Sequence, residues 1–296
     1  MYKIINLIPF ENKSNFLLSH LNDVSILIKT LERKKQLIHL LHSIKYYGFK
    51  GPIIIADDSK VPYKEEILSL FPQLNIKYII LPYDTGTAEG RNAMLRETKT
   101  PFFVLCDDDF IFEPRTRIPC MRHLMIEHNL DILGGVFIQY NMKSRKARLK
   151  ASLMHFLLKF NLLLPPLQIF EYFASFDIKG DVCTMRKVEY EHPVTICDLT
   201  HNFFMARTES VKTFGGWNPI LKGGEHQNFF IRAKLRGLNV ATTRLCGVIH
   251  NRWTKNSEEY VMLRNRSPFF KEKALNEFGI KKMENYKEVL KEDFTN

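Results

Sequence analysis

The chain has 296 residues, with 43 Lys+Arg against 32 Asp+Glu and a formal net charge of +11. Hydrophobic residues make up 45 % and charged residues 25 %, an ordinary balance for a folded protein. This excludes a largely disordered chain, a collagen-like repeat and a disulfide-stapled mini-protein, and the excess of base points to an anionic partner: nucleic acid, a phosphorylated small molecule or an anionic membrane face.

The length fits one large α/β domain or two small ones. Residues 1–22 are apolar only in short patches, broken by Glu11, Lys13 and His20, and match a signal peptide poorly. No stretch reaches the ~18 uncharged residues of a membrane-spanning helix. The five cysteines (Cys106, Cys120, Cys183, Cys197, Cys246) are odd in number and lack CxxC spacing. They read as buried thiols in a reducing compartment, so a cytoplasmic location is expected.

In chain order, Val24 to Thr30 reads as a buried strand and Leu31 to Tyr47 as a helix stopped by Gly48. Pro52 to Ala56 is a second strand, ending in Asp57-Asp58-Ser59. A helix over Lys64 to Phe71, a strand over Ile76 to Leu81 and a helix over Thr87 to Thr98 follow. Phe102 to Cys106 is a fourth strand, ending in Asp107-Asp108-Asp109. This alternation predicts an α/β fold with a doubly wound, mostly parallel sheet. Ligands of such sheets bind at the carboxyl ends of the strands, where both aspartate runs fall.

Residues 143–197 differ in character. Lys143, Arg145, Lys146, Arg148 and Lys150 form a basic cluster before an apolar, aromatic run from Ala151 to Phe176. Two readings stand: a pair of core helices, or an interfacial segment on an anionic membrane. Beyond it, Asn202 to Ala206 is strand-like, Glu209 to Thr213 a short helical turn and Glu225 to Arg236 a helix closed by Gly237. Val240 to Ile249 is extended and ends at His250; Lys271 onward reads as a charged helical tail. The expected layout is an N-terminal extension (1–22), a first α/β half (23–142), a basic and apolar insertion (143–197), a second α/β half (198–265) and a helical tail (266–296).

Three consecutive carboxylates repel one another unless a positive partner sits among them. A solvated acidic turn is one explanation; a divalent cation holding a phosphorylated ligand is the other. On an extended segment Asp107 and Asp109 share a face and Asp108 points away. His250 is a candidate to join an O/N cation shell, or a structural histidine. Asp57 and Asp58 suit a ribose hydroxyl or a base edge. The loop Gly86 to Asn92, with Arg91, could meet a phosphate. Trp217 is equally a sugar-stacking platform or a core residue, and Trp253 likewise.

Val24–Thr30, Ile54-Ile-Ala-Asp-Asp-Ser59, Gly90-Arg-Asn92 and Val104–Phe112 occur in the order seen in family-2-like inverting glycosyltransferases of the glycosyltransferase-A fold. Within these the chain resembles the β-1,4-N-acetylgalactosaminyltransferases, a likeness continued by Asn202–Thr208 and Gly223–Phe230. Gly223 to His250 also resembles the β-1,4-galactosyltransferases. The resemblance covers roughly residues 22–140 and 198–252. It implies that Thr30, Asp57 and Asp58 lie against the uridine of a UDP-sugar, with Arg91 near the donor. Asp107 would meet the ribose or sugar, with Asp108 in the same donor-binding segment. Asp109 and His250 would hold Mn²⁺ (or Mg²⁺). The galactosyltransferase-like motif has Asp after the Glu where this chain has His226, so the base is either Glu225 or His226.

The expectation is an inverting, metal-dependent transfer of a sugar, GalNAc before GlcNAc or Gal, from UDP to a hydroxyl of a surface glycan or lipid-linked acceptor. The location would be cytoplasmic, peripheral on the inner membrane face. Two rivals are a sugar nucleotidyltransferase and a non-catalytic membrane- or nucleic-acid-binding module. The first expects a glycine-rich loop after the first strand, where this chain has Thr30-Leu-Glu-Arg-Lys. Nucleic acid is disfavoured because the basic cluster leads into an apolar run rather than alternating with aromatics.

Overall fold

A computed structural model describes residues 21–140, 167–252 and 254–285. Trp253, the basic cluster of 143–150 and the apolar run through 166 lie outside the described residues. The first half follows the expected alternation. Strand β1 (Val24–Thr30) leads to α1 (Lys34–Tyr47), β2 (Ile53–Asp57), α2 (Lys64–Leu70), β3 (Ile76–Ile80), α3 (Thr87–Glu97) and β4 (Phe102–Asp107). Apolar residues of α1 at 37, 40, 41 and 44 fall on one buried stripe. The helix stops at Gly48, whose left-handed φ of 84° lets its N–H cap the carbonyls of Ile44 and Lys45.

Next come β5 (Phe110–Ile111), α4 (Ile118–Glu127), β6 (Ile132–Tyr140), β7 (Leu167–Phe170), β8 (Ser175–Lys179), β9 (Val182–Arg186) and β10 (Thr195–Ile196). Then follow β11 (Phe204–Arg207), α5 (Thr208–Thr213), α6 (Glu225–Leu235), β12 (Val240–His250), α7 (Glu258–Arg264), α8 (Ser267–Asn276) and β13 (Lys282–Asn285).

The main sheet runs β10-β12-β6-β11-β4-β1-β2-β3. β1 pairs in parallel with both β2 and β4, so the chain winds outward in two directions from β1. β11 is inserted antiparallel between β4 and β6. Helices α1, α2 and α4 cover one face through Leu37, Leu41, Ile67 and Met121. Helices α3, α5 and α6 cover the other through Met94, Val211, Phe229 and Phe230. β1 is buried on both faces, which explains its unbroken apolar core rather than an alternating pattern.

Two expectations are corrected. Residues 167–170 and 175–176, the end of the run expected as a helix pair or interfacial segment, lie in strands: β7 extends the main sheet beside β6, and β8 pairs with β9. The charged tail is not uniformly helical either, because β13 pairs in parallel with β9 to complete a separate three-stranded sheet.

Candidate active site

The carboxyl ends of β1 and β4 open into a cavity of about 340 Å³. Thr30, Arg91, Asp107, Asp108, Asp109, Glu225, His226 and His250 all line it, although they come from both halves of the chain. Backbone pairing carries His250 there. β12 runs antiparallel to β5 with His250 opposite Phe110, and the Asn251 N–H donates to the Asp109 carbonyl at 2.8 Å. His250 Nε2 consequently sits 3.2 Å from Asp109 Oδ2, while Gln139 contacts Nδ1 at 3.4 Å and orients the ring.

β4 ends at Asp107, and Asp108-Asp109 form a turn, so strict alternation of the three side chains does not hold. Asp108 is not turned away from its neighbours. Its Oδ2 accepts from the Thr30 hydroxyl at 2.7 Å and its Oδ1 from Arg33 Nη1 at 2.8 Å. The same guanidinium donates through Nη2 to Asp109 Oδ2 at 2.7 Å. Burial pushes the Asp108 carboxyl upward against the pull of Arg33. Burial acts in the same direction on Asp109, but the bond with His250 and the charge of Arg33 outweigh it and hold that carboxyl low.

Arg91 forms a second hub. It is 2 % exposed and donates to Glu225 Oε1 at 2.9 Å and to Asp107 Oδ1 at 3.1 Å. Glu225 opens α6 because Gly224 turns the chain in the left-handed region at φ 71°; a Cβ there would come within 2.8 Å of Lys271. His226, one position on, is pushed down to about 4, chiefly by burial, and is therefore a neutral imidazole at pH 7. Burial likewise pushes His201 down to about 3, and its Nε2 bonds the Phe170 carbonyl.

Three of the expected features sit apart from the open cavity or are already engaged. Asp57 and Asp58 do not line it. Both are fully buried, Asp57 accepting from the Ser59 and Tyr63 N–H groups and from the Tyr78 hydroxyl, Asp58 from Lys29 and the Gly86 N–H. Gly86, Thr87 and Arg91 of the glycine loop line the cavity, while its N–H groups at 86, 88 and 90 already donate to Asp58, Leu221 and Gly86. Trp217 is not a sugar platform: it is 1 % exposed and stacked on Phe229 at 4.5 Å.

Sequence reasoning missed Arg33, Tyr172, His201, Asn202, Lys222 and Tyr260, all of which line the cavity. Arg33 carried a signal, since it lies three residues beyond the carboxyl end of β1. Tyr260 carried none, because α7 is a short helix with no buried residue.

Among the described residues no cluster of three or more His, Cys, Asp or Glu forms a metal cage. Asp109 and His250 nonetheless offer an oxygen and a nitrogen donor close together in the cavity wall. That donor set fits a divalent cation whose remaining positions are filled by ligand phosphates.

The sequence model of Glycosyl transferase family 2 matches residues 25–190. Beta-1,4 N-acetylgalactosaminyltransferase 2 of Mus musculus is 29 % identical over 215 residues, 71 % of this chain and 36 % of the relative. Beta-1,4 N-acetylgalactosaminyltransferase 1 of Homo sapiens is 27 % identical over 214 residues, 70 % of this chain and 35 % of the relative. The chain thus spans about a third of the length of these relatives. Among solved structures, S. aureus TarS 1-349 in complex with UDP-GlcNAc superposes with a TM-score of 0.54 at 15 % identity, covering 86 % of this chain and 71 % of that one. A mannosyltransferase from Pyrobaculum calidifontis in complex with GDP-Man and Mn²⁺ gives 0.53 at 11 % identity, covering 86 % and 64 %. These two share the fold, which is of the glycosyltransferase-A type. With more than half its length matched by the family's sequence model, the chain belongs to glycosyl transferase family 2.

Proposed function

We propose that the chain is an inverting, divalent-metal-dependent glycosyltransferase that moves a sugar, GalNAc in the first instance, from UDP to a hydroxyl of a glycan or glycolipid. The observation that carries this reading is the convergence of Asp107, Asp108, Asp109 and His250 with the Arg91–Glu225 pair in one cavity at the strand ends. The kinship with N-acetylgalactosaminyltransferases supports the donor, and a neighbour that holds UDP-GlcNAc supports UDP.

Asp109 and His250 are the residues that would hold the cation, which supplies charge neutralisation at the departing diphosphate. Arg264, together with Lys222 and Arg266 that share the single carboxylate of Asp84, leaves a positive excess at this edge of the cavity that favours a diphosphate. Glu225 is the proposed base. Arg91 fixes one of its oxygens and so aims the carboxylate at the acceptor hydroxyl, whose proton it takes as the hydroxyl oxygen attacks C1 and the bond from C1 to the UDP oxygen breaks, with UDP leaving. His226, neutral at pH 7, orients the acceptor hydroxyl. The acceptor is assigned to a second cavity of about 590 Å³, which shares Phe137, Tyr172 and His201 with the first. The partly exposed rings of Phe137 and Tyr172 replace Trp217 as candidate sugar-stacking faces.

The test is UDP release by purified protein with Mn²⁺ and a panel of UDP-sugars and acceptors. Glu225→Gln is expected to lower kcat about 10²–10⁴-fold. Asp109→Ala is expected to abolish metal-dependent turnover while leaving the fold intact. An Asp109→Ala protein with full turnover refutes the cation assignment, and no UDP release from any donor refutes the transferase reading.

A further inference from the structure

Arg33 occupies an unusual place for a side chain in a site rich in carboxylates. Its two terminal nitrogens bridge Asp108 and Asp109 at 2.8 and 2.7 Å, one charge-assisted hydrogen bond to each carboxylate rather than a bidentate grip on either. Its carbon lies 4.7 Å over the Tyr260 ring. The guanidinium is 8 % exposed, and its Nε–H is buried with no hydrogen-bond partner among the described residues. A buried donor left unpaired is a standing penalty, so this seat is not the best one Arg33 could have if an acceptor were offered. Asp109 Oδ2 already receives Arg33 on one side and faces His250 on the other. A divalent ion held jointly by His250 and Asp109 through this oxygen would compete with Arg33 for its lone pairs and be repelled by the adjacent guanidinium charge.

Resting on the proposed function of this cavity, we infer that Arg33 is a resident counter-cation of the aspartate cluster, displaced when a divalent ion binds and taken up by the donor diphosphate. Arg33 is thus a positioning residue: it couples cation binding to donor binding by competing for Asp109. Without a donor the guanidinium keeps the cluster neutralised and the site closed to metal. With a donor, two phosphates supply acceptors for the released N–H groups, including the one now unpaired. Tyr260, on α7, holds the first position by stacking and by its hydroxyl 3.4 Å from Nη1.

The experiment is Mn²⁺ binding read by the electron paramagnetic resonance of free Mn²⁺, with and without UDP. It uses the full chain, Arg33→Met and Tyr260→Leu. In the absence of UDP, Arg33→Met is expected to bind Mn²⁺ about tenfold more tightly than the unaltered chain, the equivalent of one charge-assisted hydrogen bond lost by the competitor. The gain in Mn²⁺ affinity on adding UDP should shrink in Arg33→Met by a similar factor. Tyr260→Leu, which leaves every carboxylate and the guanidinium in place, should shift both quantities in the same direction by a smaller factor, and it carries the test alone if Arg33→Met does not fold. Unchanged or weaker Mn²⁺ binding by folded Arg33→Met, or an undiminished UDP effect, overturns the inference. If the unaltered chain binds neither UDP nor Mn²⁺, it is the glycosyltransferase reading that falls, and the inference with it.

Discussion

Arg91 holds Asp107 from the strand side and Glu225 from the helix side, so one guanidinium sets the spacing of two carboxylates. Replacing it with methionine strands Glu225, 5 % exposed, as an uncompensated buried charge. Arg91→Met is expected to lower unfolding free energy by about 3–5 kcal/mol, measured by urea denaturation. The loss should come from Glu225 rather than from Asp107, whose more exposed carboxylate is screened by water. Two histidines make a separate, pH-dependent contribution. His201 and His226 have folded values near 3 and 4, below the ordinary 6.5, because burial disfavours their charged forms. The unfolded chain therefore binds more protons between these values and 6.5. Stability is complete above about pH 7 and falls as pH drops through 6.5, by up to about 1.4 kcal/mol per pH unit for each histidine. Denaturation midpoints between pH 7.5 and 5 check this, and His201→Gln should flatten the slope. At this scale much of the site was legible: consecutive aspartates at the end of an apolar strand are costly without a positive partner, and that alone marked residues 107–109. The identity of the partner was not legible, because Arg33 meets them through β1–β4 pairing rather than through proximity in sequence. Asp57 differs, in that its partners are close in sequence. Its pattern matches a ligand-facing acid, but its turn folds the Ser59 and Tyr63 N–H groups back onto it.

Helix α7 has no buried residue, yet it stands over the cavity. It is secured by polar contacts at its margins. The Ser257 hydroxyl donates to the Glu32 carbonyl, the Tyr83 hydroxyl to Glu259, and Arg266 forks onto Asp84 at 2.9 and 2.6 Å. Elements held by exposed hydrogen bonds rather than apolar burial open at low free energy. Amide hydrogen exchange is therefore expected to be faster in 257–265 than in β1 or β4 by several orders of magnitude. Arg266→Ala should speed it further without changing exchange in β4. Helices with a broad apolar stripe, such as α1, announced themselves in the sequence. α7 did not, because its reason for being helical is the Ser257 cap and its neighbours across the cavity, not its own periodicity. The strands β7, β8 and β13 were hidden in the opposite way. The apolar content of β7 was visible, but its partner β6 lies beyond a long insertion, and β13, with one apolar residue in four, is a strand only because distant β9 pairs with it.

Across the whole molecule, a net charge of +11 exceeds what a metal-neutralised diphosphate requires. No helix among the described residues is long and apolar enough to cross a membrane. The proposed reading is that the surplus base docks the protein on an anionic inner membrane face that carries the acceptor. Co-sedimentation with vesicles is expected to rise with anionic lipid content and to fall in high salt; indifference to lipid charge refutes it. The doubly wound sheet was legible because each unit of the first half is local, a strand, a turn and a helix in succession. The insertion of β11 between β4 and β6 was not, being a property of chain path alone. Asp109 and His250, 141 positions apart, meet only after His250 and Ile249 have laid down against Phe110 and Ile111. Contacts closed over so long a loop form late and slowly. Until then the aspartates exist without their imidazole, so the proposed cation site would be assembled at the end of folding rather than at its start. On that reading the cation could report the completion of folding but could not seed it.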